Sequence, residues 1–440
     1  MITDTDSTPV SWAQLQERLP FELNDECSLV DVLRCREQGV SLQKAAEAFQ
    51  IGLEYFEATG QSLYRRNLLG ASEPIAKVRY PREGIDREMI ILASNNYLCL
   101  NTHPKVVAAA IAAAQHYGIG TCSAPLLIGT LPLTNELEQK LARFKGAQEG
   151  LLFPTGYSAN LGVISALCGK NDVVIVDRLS HASIIDGARL SHAKVKVFRH
   201  NDADHLDKIL ARTHTTGIKF VVVEGIYSMD GDIAPLDKLV EVSKRHGAMI
   251  MVDEAHATGV LGPGGRGTVA HFGLDGQVDL QLGTMSKSLG ATGGFVCGRK
   301  EIINYIRYFA RSCMFSAAPS PMVLAGVSAA LDVIEAEPQL REQLWVNSRF
   351  LFDELKLKGF TVGPDCTPII PVIVGSMKAL RQMTLELHEK NICVNSIPFP
   401  AVPHGSERLR LSVTAKHTLP QLQHVVECVE AAGRNAGVIQ

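Results

Sequence analysis

Lys287 stands in the segment GTMSKSLGATGG, directly after the mostly apolar run VDLQLGT. Its small neighbours leave room for a flat ring and a phosphate to approach the backbone, and Thr284 and Ser286 can donate hydrogen bonds to phosphate oxygens. A lysine amine in such surroundings is a nucleophile suited to forming an imine with an aldehyde cofactor. The plainer alternative is a charged loop residue. Asp253 ends the apolar run AMIMVD, and His256 follows three residues later. A carboxylate at the end of a buried run needs a charged partner. A protonated pyridine nitrogen is one, and the ion pair would keep the ring an electron sink. His256 is then placed to reach the ring's phenolic oxygen. Alternatively, Asp253 is a helix cap and His256 a core histidine.

Four further groups belong to the same reading. His181, in DRLSHASIIDGA, can lie flat on one face of a cofactor or simply cap the next helix. In FPTGYSAN, a helix start offers the amides of Gly156 and Tyr157 to a phosphate, so Tyr157 and Ser158 are expected to border the cofactor. Glu224, Ser228 and Asp230 cluster in EGIYSMDGD, where they serve the substrate side or orient neighbours. Arg410, in ERLRLSVTAKHT, offers the planar fork that clamps a carboxylate. Arg408, two residues away, shares its strand face by alternation. A surface strand arginine is the alternative for Arg410.

These residues need a scaffold that presents strand ends to a ligand. The runs EGLLF (149–153), DVVIVD (172–177), KVKVF (194–198), KFVVVEG (219–225), AMIMVDE (248–254), VDLQLGT (278–284) and GGFVCG (293–298) read as strands. Several are continuously apolar, as expected of strands buried on both faces of a mostly parallel sheet. Helical stretches lie between them, which gives the α/β class. Ligands of such sheets gather beyond the carboxyl ends of the strands, where the residues above fall. Three divisions are expected: an N-terminal arm over 1–85, a large domain over 86–334, and a smaller α+β domain over 335–440. The last carries the strand candidates PIIPVIVG, ICVNSI and RLRLSVT and a final helix from Leu419. The arm contains helical periodicity over 29–60, broken by Gly39, and is expected to pack on the body or on a partner subunit.

Composition excludes several other classes. The 440 residues are 46% hydrophobic and 20% charged, with a formal net charge of −3. That balance suits a chain with a large core and gives no basic footprint for nucleic acid. No apolar stretch is long enough to span a membrane. The polar, acidic start does not read as a secretory leader. The ten cysteines form no CxxC pair, so they are expected to be reduced thiols of a cytoplasmic protein, with no metal site.

The segments GTMSKSLG, VDEAHATGVLGPGGRG, LSHASIIDGARL, EGIYSMDGD, ASNNYLCL and RLRLSVTAKHT together resemble the α-oxoamine synthase family over about residues 85–435. These are acyltransferases, pyridoxal 5'-phosphate-dependent acyl-CoA:amino acid C-acyltransferases. They include glycine C-acetyltransferase, 8-amino-7-oxononanoate synthase and serine palmitoyltransferase. The resemblance implies the type I fold of PLP-dependent transferases and a homodimer with active sites at the subunit boundary. It implies condensation of an amino acid with an acyl-CoA, usually with loss of CO2, giving an α-aminoketone and CoA. On this resemblance Lys287 is the imine lysine and base, Asp253 the partner of the ring nitrogen, His256 the residue near the ring oxygen, and His181 the stacking ring. Thr284 and Ser228 are cofactor contacts. Asn95 and Arg410 bind the amino acid. A PLP-dependent aldolase or an aminotransferase working without acyl-CoA is the competing expectation. Two positions depart from the family pattern: Pro125 replaces a usual arginine in YGIGTCSAPLLIGT, and Ala318 replaces a hydroxyl or amide residue in MFSAAPSP.

Overall fold

The computed structural model describes residues 39–58, 64–80 and 84–440, without the side chains of 55–58. Cys27, Cys35, the chain start, and residues 29–38 and 59–60 of the expected arm helix lie outside the described residues. Within the arm, the helix Leu42–Ala58 buries Ala45 and Ala48.

The strands, in chain order, are β1 (Asn67–Leu68), β2 (Ile75–Arg79), β3 (Asp86–Ile91), β4 (Glu149–Phe153), β5 (Val173–Asp177), β6 (Lys194–Phe198) and β7 (Lys219–Glu224). They continue with β8 (Met249–Asp253), β9 (Leu280–Thr284), β10 (Gly294–Gly298), β11 (Ile369–Ile373), β12 (Ile392–Cys393), β13 (Asn395–Ile397) and β14 (Arg408–Ser412). Among the described residues, seven strands make the central sheet, in the order β4-β10-β9-β8-β7-β5-β6. From β9 to β6 every neighbouring pair is parallel, and β10 runs antiparallel between β9 and β4. This is the mostly parallel sheet that the apolar runs predict, in the α/β class.

The continuous apolar runs are explained by burial on both faces. In β5, Val174 and Val176 join the core beneath helix Gly156–Leu167, while Val173 and Ile175 join the core beneath helices Ala203–Ala211 and Leu236–Arg245. With no solvent-facing side, every position of the strand is apolar until its final aspartate.

The C-terminal region has its own core around β11, β14 and helices Pro338–Leu357, Met377–Glu389 and Leu419–Asn435. The segment ICVNSI splits between two sheets: β13 pairs with β14, whereas β12 pairs in parallel with β3. The expected division at 85/86 falls between β2 and β3, which pair along their whole length. Leu92, just after β3, packs into the C-terminal core.

Candidate active site

The carboxyl ends of the central strands surround a cavity of about 340 Å³ lined by Gly156, Tyr157, His181, Glu224, Asp253, His256, Thr284, Ser286 and Lys287, among others. Each arrives there for a local reason. Asp253 is the last residue of β8, and its Oδ1 accepts the Ala255 amide at 2.9 Å, which turns the chain and brings His256 into the cavity wall. Thr284 ends β9, and its hydroxyl donates to the Gly293 carbonyl at 3.0 Å, tying the lysine loop closed around Ser286 and Lys287. Gly156 starts the helix that faces this loop. A Cβ there would lie 2.8 Å from the Thr284 Cβ, so the helix start reaches the strand end only as glycine.

Burial sets the electrostatics. Removal from water pulls the Lys287 amine down to about 8, against the opposing pull of Asp253 and Glu224. Burial likewise holds His256 well below the usual imidazole range, with the Lys287 and Arg410 charges acting in the same direction. The His256 Nδ1 lies 2.7 Å from the Tyr97 hydroxyl. His181 is also lowered, first by burial and then by Lys287, with Asp253 and Asp186 opposing. Glu224 is raised well above the ordinary carboxyl range, chiefly by burial and next by Asp253, and its Oε1 accepts the His181 amide at 2.6 Å.

Arg410 and Asn95, expected on the substrate side, do not line the cavity but lie close enough for the Arg410 charge to act on it. Arg410 is buried on β14, and its charge depresses both Lys287 and His256. One Nη donates to the Asn95 side-chain oxygen at 2.6 Å, while its Nε–H is buried without a partner, and no carboxylate pairs with it among the described residues. Arg408, on the same strand, is fully engaged: it donates to Asp230 at 2.7 Å and to the carbonyls of Met229 and Ser406. Asp230 therefore ties the loop after β7 to β14.

Ser158 and Ser228 are not among the residues that line the cavity. The Ser158 hydroxyl accepts the Thr155 amide, and the Ser158 amide donates to the Thr155 hydroxyl at 3.0 Å. This reciprocal cap engages both groups at the helix end. Ser228 is half-buried and does not line the cavity. Tyr157 borders the mouth, half-exposed, with its hydroxyl donating to Asp186 and its ring edge-on to His181 at 6.4 Å. The sequence reading missed Asn160, Ser183 and Tyr97. Asn160 is one helical turn beyond Gly156 and donates to Asp253 at 2.8 Å; its i, i+4 spacing from that glycine was the available signal.

The chain matches the family described as aminotransferase class I and II over residues 87–429. It is 42% identical to 8-amino-7-oxononanoate synthase 1 of Bacillus velezensis over 351 residues, covering 80% of this chain and 90% of that protein. It is 43% identical to 8-amino-7-oxononanoate synthase of Symbiobacterium thermophilum over 361 residues, covering 82% and 92%. Among solved structures, it superposes on Sphingomonas wittichii serine palmitoyltransferase with a TM-score of 0.86 and 37% identity, covering 91% of this chain and all (100%) of that one. The chain belongs to the aminotransferase class I and II family and, within it, to the α-oxoamine synthases.

Proposed function

We propose that this site condenses an amino acid with an acyl thioester on pyridoxal 5'-phosphate, usually with loss of CO2, to give an α-aminoketone. The membership of the α-oxoamine synthases makes the chain a PLP-dependent acyltransferase. The observation that carries the reading is a Lys287 amine that burial lowers to about 8, set near a buried Arg410 guanidinium whose Nε–H has no partner and which pairs with no carboxylate among the described residues.

The donor set fits pyridoxal phosphate. The first amides of helix Gly156–Leu167 have no intrahelical acceptor and suit a phosphate. The Ser286 hydroxyl is exposed beside them, with Thr284 holding it at 2.8 Å. Asp253 is buried where a ring nitrogen needs a counter-charge, and Lys287 supplies the amine that anchors an aldehyde. When bound, the cofactor supplies an electron sink for negative charge at the amino acid's Cα.

The chain's own residues do the rest. Arg410, oriented by Asn95, holds the amino-acid carboxylate through a charge-assisted bond. Lys287 Nζ removes the Cα proton and later returns one. Its lowered basicity leaves a usable neutral fraction near pH 8. Asp253 would keep a bound ring's nitrogen protonated, and His256, held neutral by burial, would offer it a hydrogen bond rather than a charge. No observation favours an aldolase or an aminotransferase working without a thioester.

The resemblance to serine palmitoyltransferase structures suggests serine and a long acyl chain as first substrates to try, with glycine and acetyl-CoA the other arm. We also place the enzyme in the cytoplasm as a homodimer. Eight described cysteines are all free, and no helix of the described residues is long and apolar enough to cross a membrane. Leu127, Ile128 and Phe315 are exposed on the two segments that carry Pro125 and Ala318, forming an apolar face for a second subunit. The test is a screen of amino acids against acyl-CoAs of graded chain length, reading thiol release with mass spectrometry of products. A product carrying both acyl and amino-acid carbons, minus CO2, is expected. Amino-acid turnover with no thiol release under any pairing would overturn the reading in favour of thioester-free chemistry.

A further inference from the structure

We propose that Ser183 and Asn160 are positioning residues that fix the His181 ring as its neutral tautomer with the proton on Nε2, so that His181 meets the substrate as a hydrogen-bond donor; this rests on the function proposed above. A backbone N–H can only donate. The Ser183 N–H donates to His181 Nδ1 at 3.2 Å. Nδ1 is therefore the acceptor nitrogen. An imidazolium would aim its own Nδ1–H at that amide, so the ring is neutral and its proton sits on Nε2.

The remaining directions follow in order. The Ser183 hydroxyl lies 2.7 Å from the same Nδ1, so it too must donate there. Its oxygen is then free to accept, and the Asn160 side-chain amide lies 2.9 Å away. That amide group carries two hydrogens. One goes to Ser183 and the other to Asp253 Oδ2 at 2.8 Å. The reverse assignment would leave the amide oxygen facing a carboxylate oxygen, two acceptors with no proton between them. Ser183 and Asn160 are both almost fully buried, at 1% and 2% exposed, so water does not substitute for either contact. The chain of bonds runs from Asp253, the carboxylate that would meet the ring nitrogen of a bound cofactor, to the imidazole on the cavity wall.

The far edge of the ring is left open. No described residue accepts from His181 Nε2, and His181 is exposed where it lines the cavity. An Nε2–H there suits a carboxylate or carbonyl oxygen of the substrate. It also removes His181 as a base at that nitrogen, leaving proton removal to Lys287. The charged and titratable groups facing His181 are Asp253, Asp186 and Glu224 on one side of the balance and Lys287 and His256 on the other, with the neutral Tyr157 phenol edge-on to the ring.

The test uses the holoenzyme with 15N-labelled histidine, its His181 signals assigned by their absence in His181→Gln. Long-range 1H–15N spectra at neutral pH should show Nε2 protonated and Nδ1 unprotonated. A protonated Nδ1, in either a neutral or a charged ring, would overturn the proposal. Ser183→Ala removes one donor that favours the neutral ring, so the His181 titration midpoint should rise by about half to one pH unit, and the acid limb of turnover should move with it. Ser183→Thr, which keeps the hydroxyl, should hold the wild-type midpoint. An unmoved midpoint in Ser183→Ala would equally sink the relay. These spectra need no turnover, so a failed thioester screen and a failed tautomer assignment are separate results.

Discussion

The two ends of the central sheet carry similar residue types and opposite chemistry. At the amino-terminal edge lies a cavity of about 480 Å³, larger than the 340 Å³ one at the carboxyl edge. It is lined by Asp279 and Gln281 and sits over the fully buried Lys145. Yet the polar groups there are satisfied. Asp279 accepts the Ile250 amide at 2.9 Å, Lys145 donates to the Arg266 carbonyl at 2.6 Å, and Gln281 donates to the Lys145 carbonyl at 3.0 Å. None of the residues lining that cavity holds a buried side-chain atom without a partner. At the carboxyl edge the Asn160 oxygen and the nearby Arg410 Nε are unpartnered, whereas burial shifts groups at both edges, lowering Lys145 as it lowers Lys287. Volume does not mark the reactive end; unfinished hydrogen bonding does.

The hardest test of that contrast removes the reactive amine. Lys287→Ala should lower thioester cleavage by roughly 10²–10⁴-fold or more, because it deletes both anchor and base. Thiol-release rates check this, and wild-type rates in the variant would break the assignment. The same amine should reveal itself in the cofactor-free protein. Uptake of pyridoxal phosphate should quicken as pH rises towards about 8 and level off above it. The sign of the linked stability follows from proton counting. Between about 8 and the unfolded lysine value the unfolded chain holds a proton that the folded chain lacks, so this group's contribution to stability rises with pH across that window.

A finer test uses two arginines on one strand. Arg410→Ala should weaken amino-acid binding by about 10–100-fold, from the loss of a bond to a charged group worth roughly 1.5–3 kcal/mol. Arg408→Ala should leave amino-acid affinity alone and instead lower the unfolding midpoint, since its partner Asp230 is bound by geometry and not by substrate. Spectral titration with amino acid and thermal unfolding separate the two, and equal affinities in wild type and Arg410→Ala would remove Arg410 from the site.

The smallest effect belongs to the quiet edge. Asp279→Ala strands the Ile250 amide and should cost about 1–2 kcal/mol of stability by denaturant titration. Its kcat/KM should match wild type. A loss of turnover without a loss of stability would mean that this edge, too, takes part in catalysis.

Much of the scaffold was readable from the chain because each central strand is an uninterrupted apolar run. The seven expected strands fall within one or two residues of β4 to β10. The polar residue ending such a run marks the carboxyl edge, so Asp253 and Thr284 were visible as site candidates, with Lys287 close behind. What could not be read depends on partners distant in sequence. Alternation placed Arg408 and Arg410 on one face, but only the fold shows that Asp230 takes one and leaves the other free. Asn160 looked like a helix residue until Asp253, 93 positions later, was found against it. Ser158 shows the converse: a hydroxyl at a helix start has a local use, capping, that competes with any ligand.

The pairing of β3 with β12 has a consequence for the making of the protein. Ile90 and Ile91 find their partners at Ile392 and Cys393, about 300 residues further along. At roughly 5–20 residues per second, the ribosome needs about 15–60 s to supply them. The central sheet, complete once β10 has emerged, can form in that interval. Leu92 and the free edge of β3, meanwhile, remain without the C-terminal core that covers them. The nascent chain thus carries an uncapped strand through most of its synthesis, the kind of edge that recruits chaperones or strays into pairing with other chains.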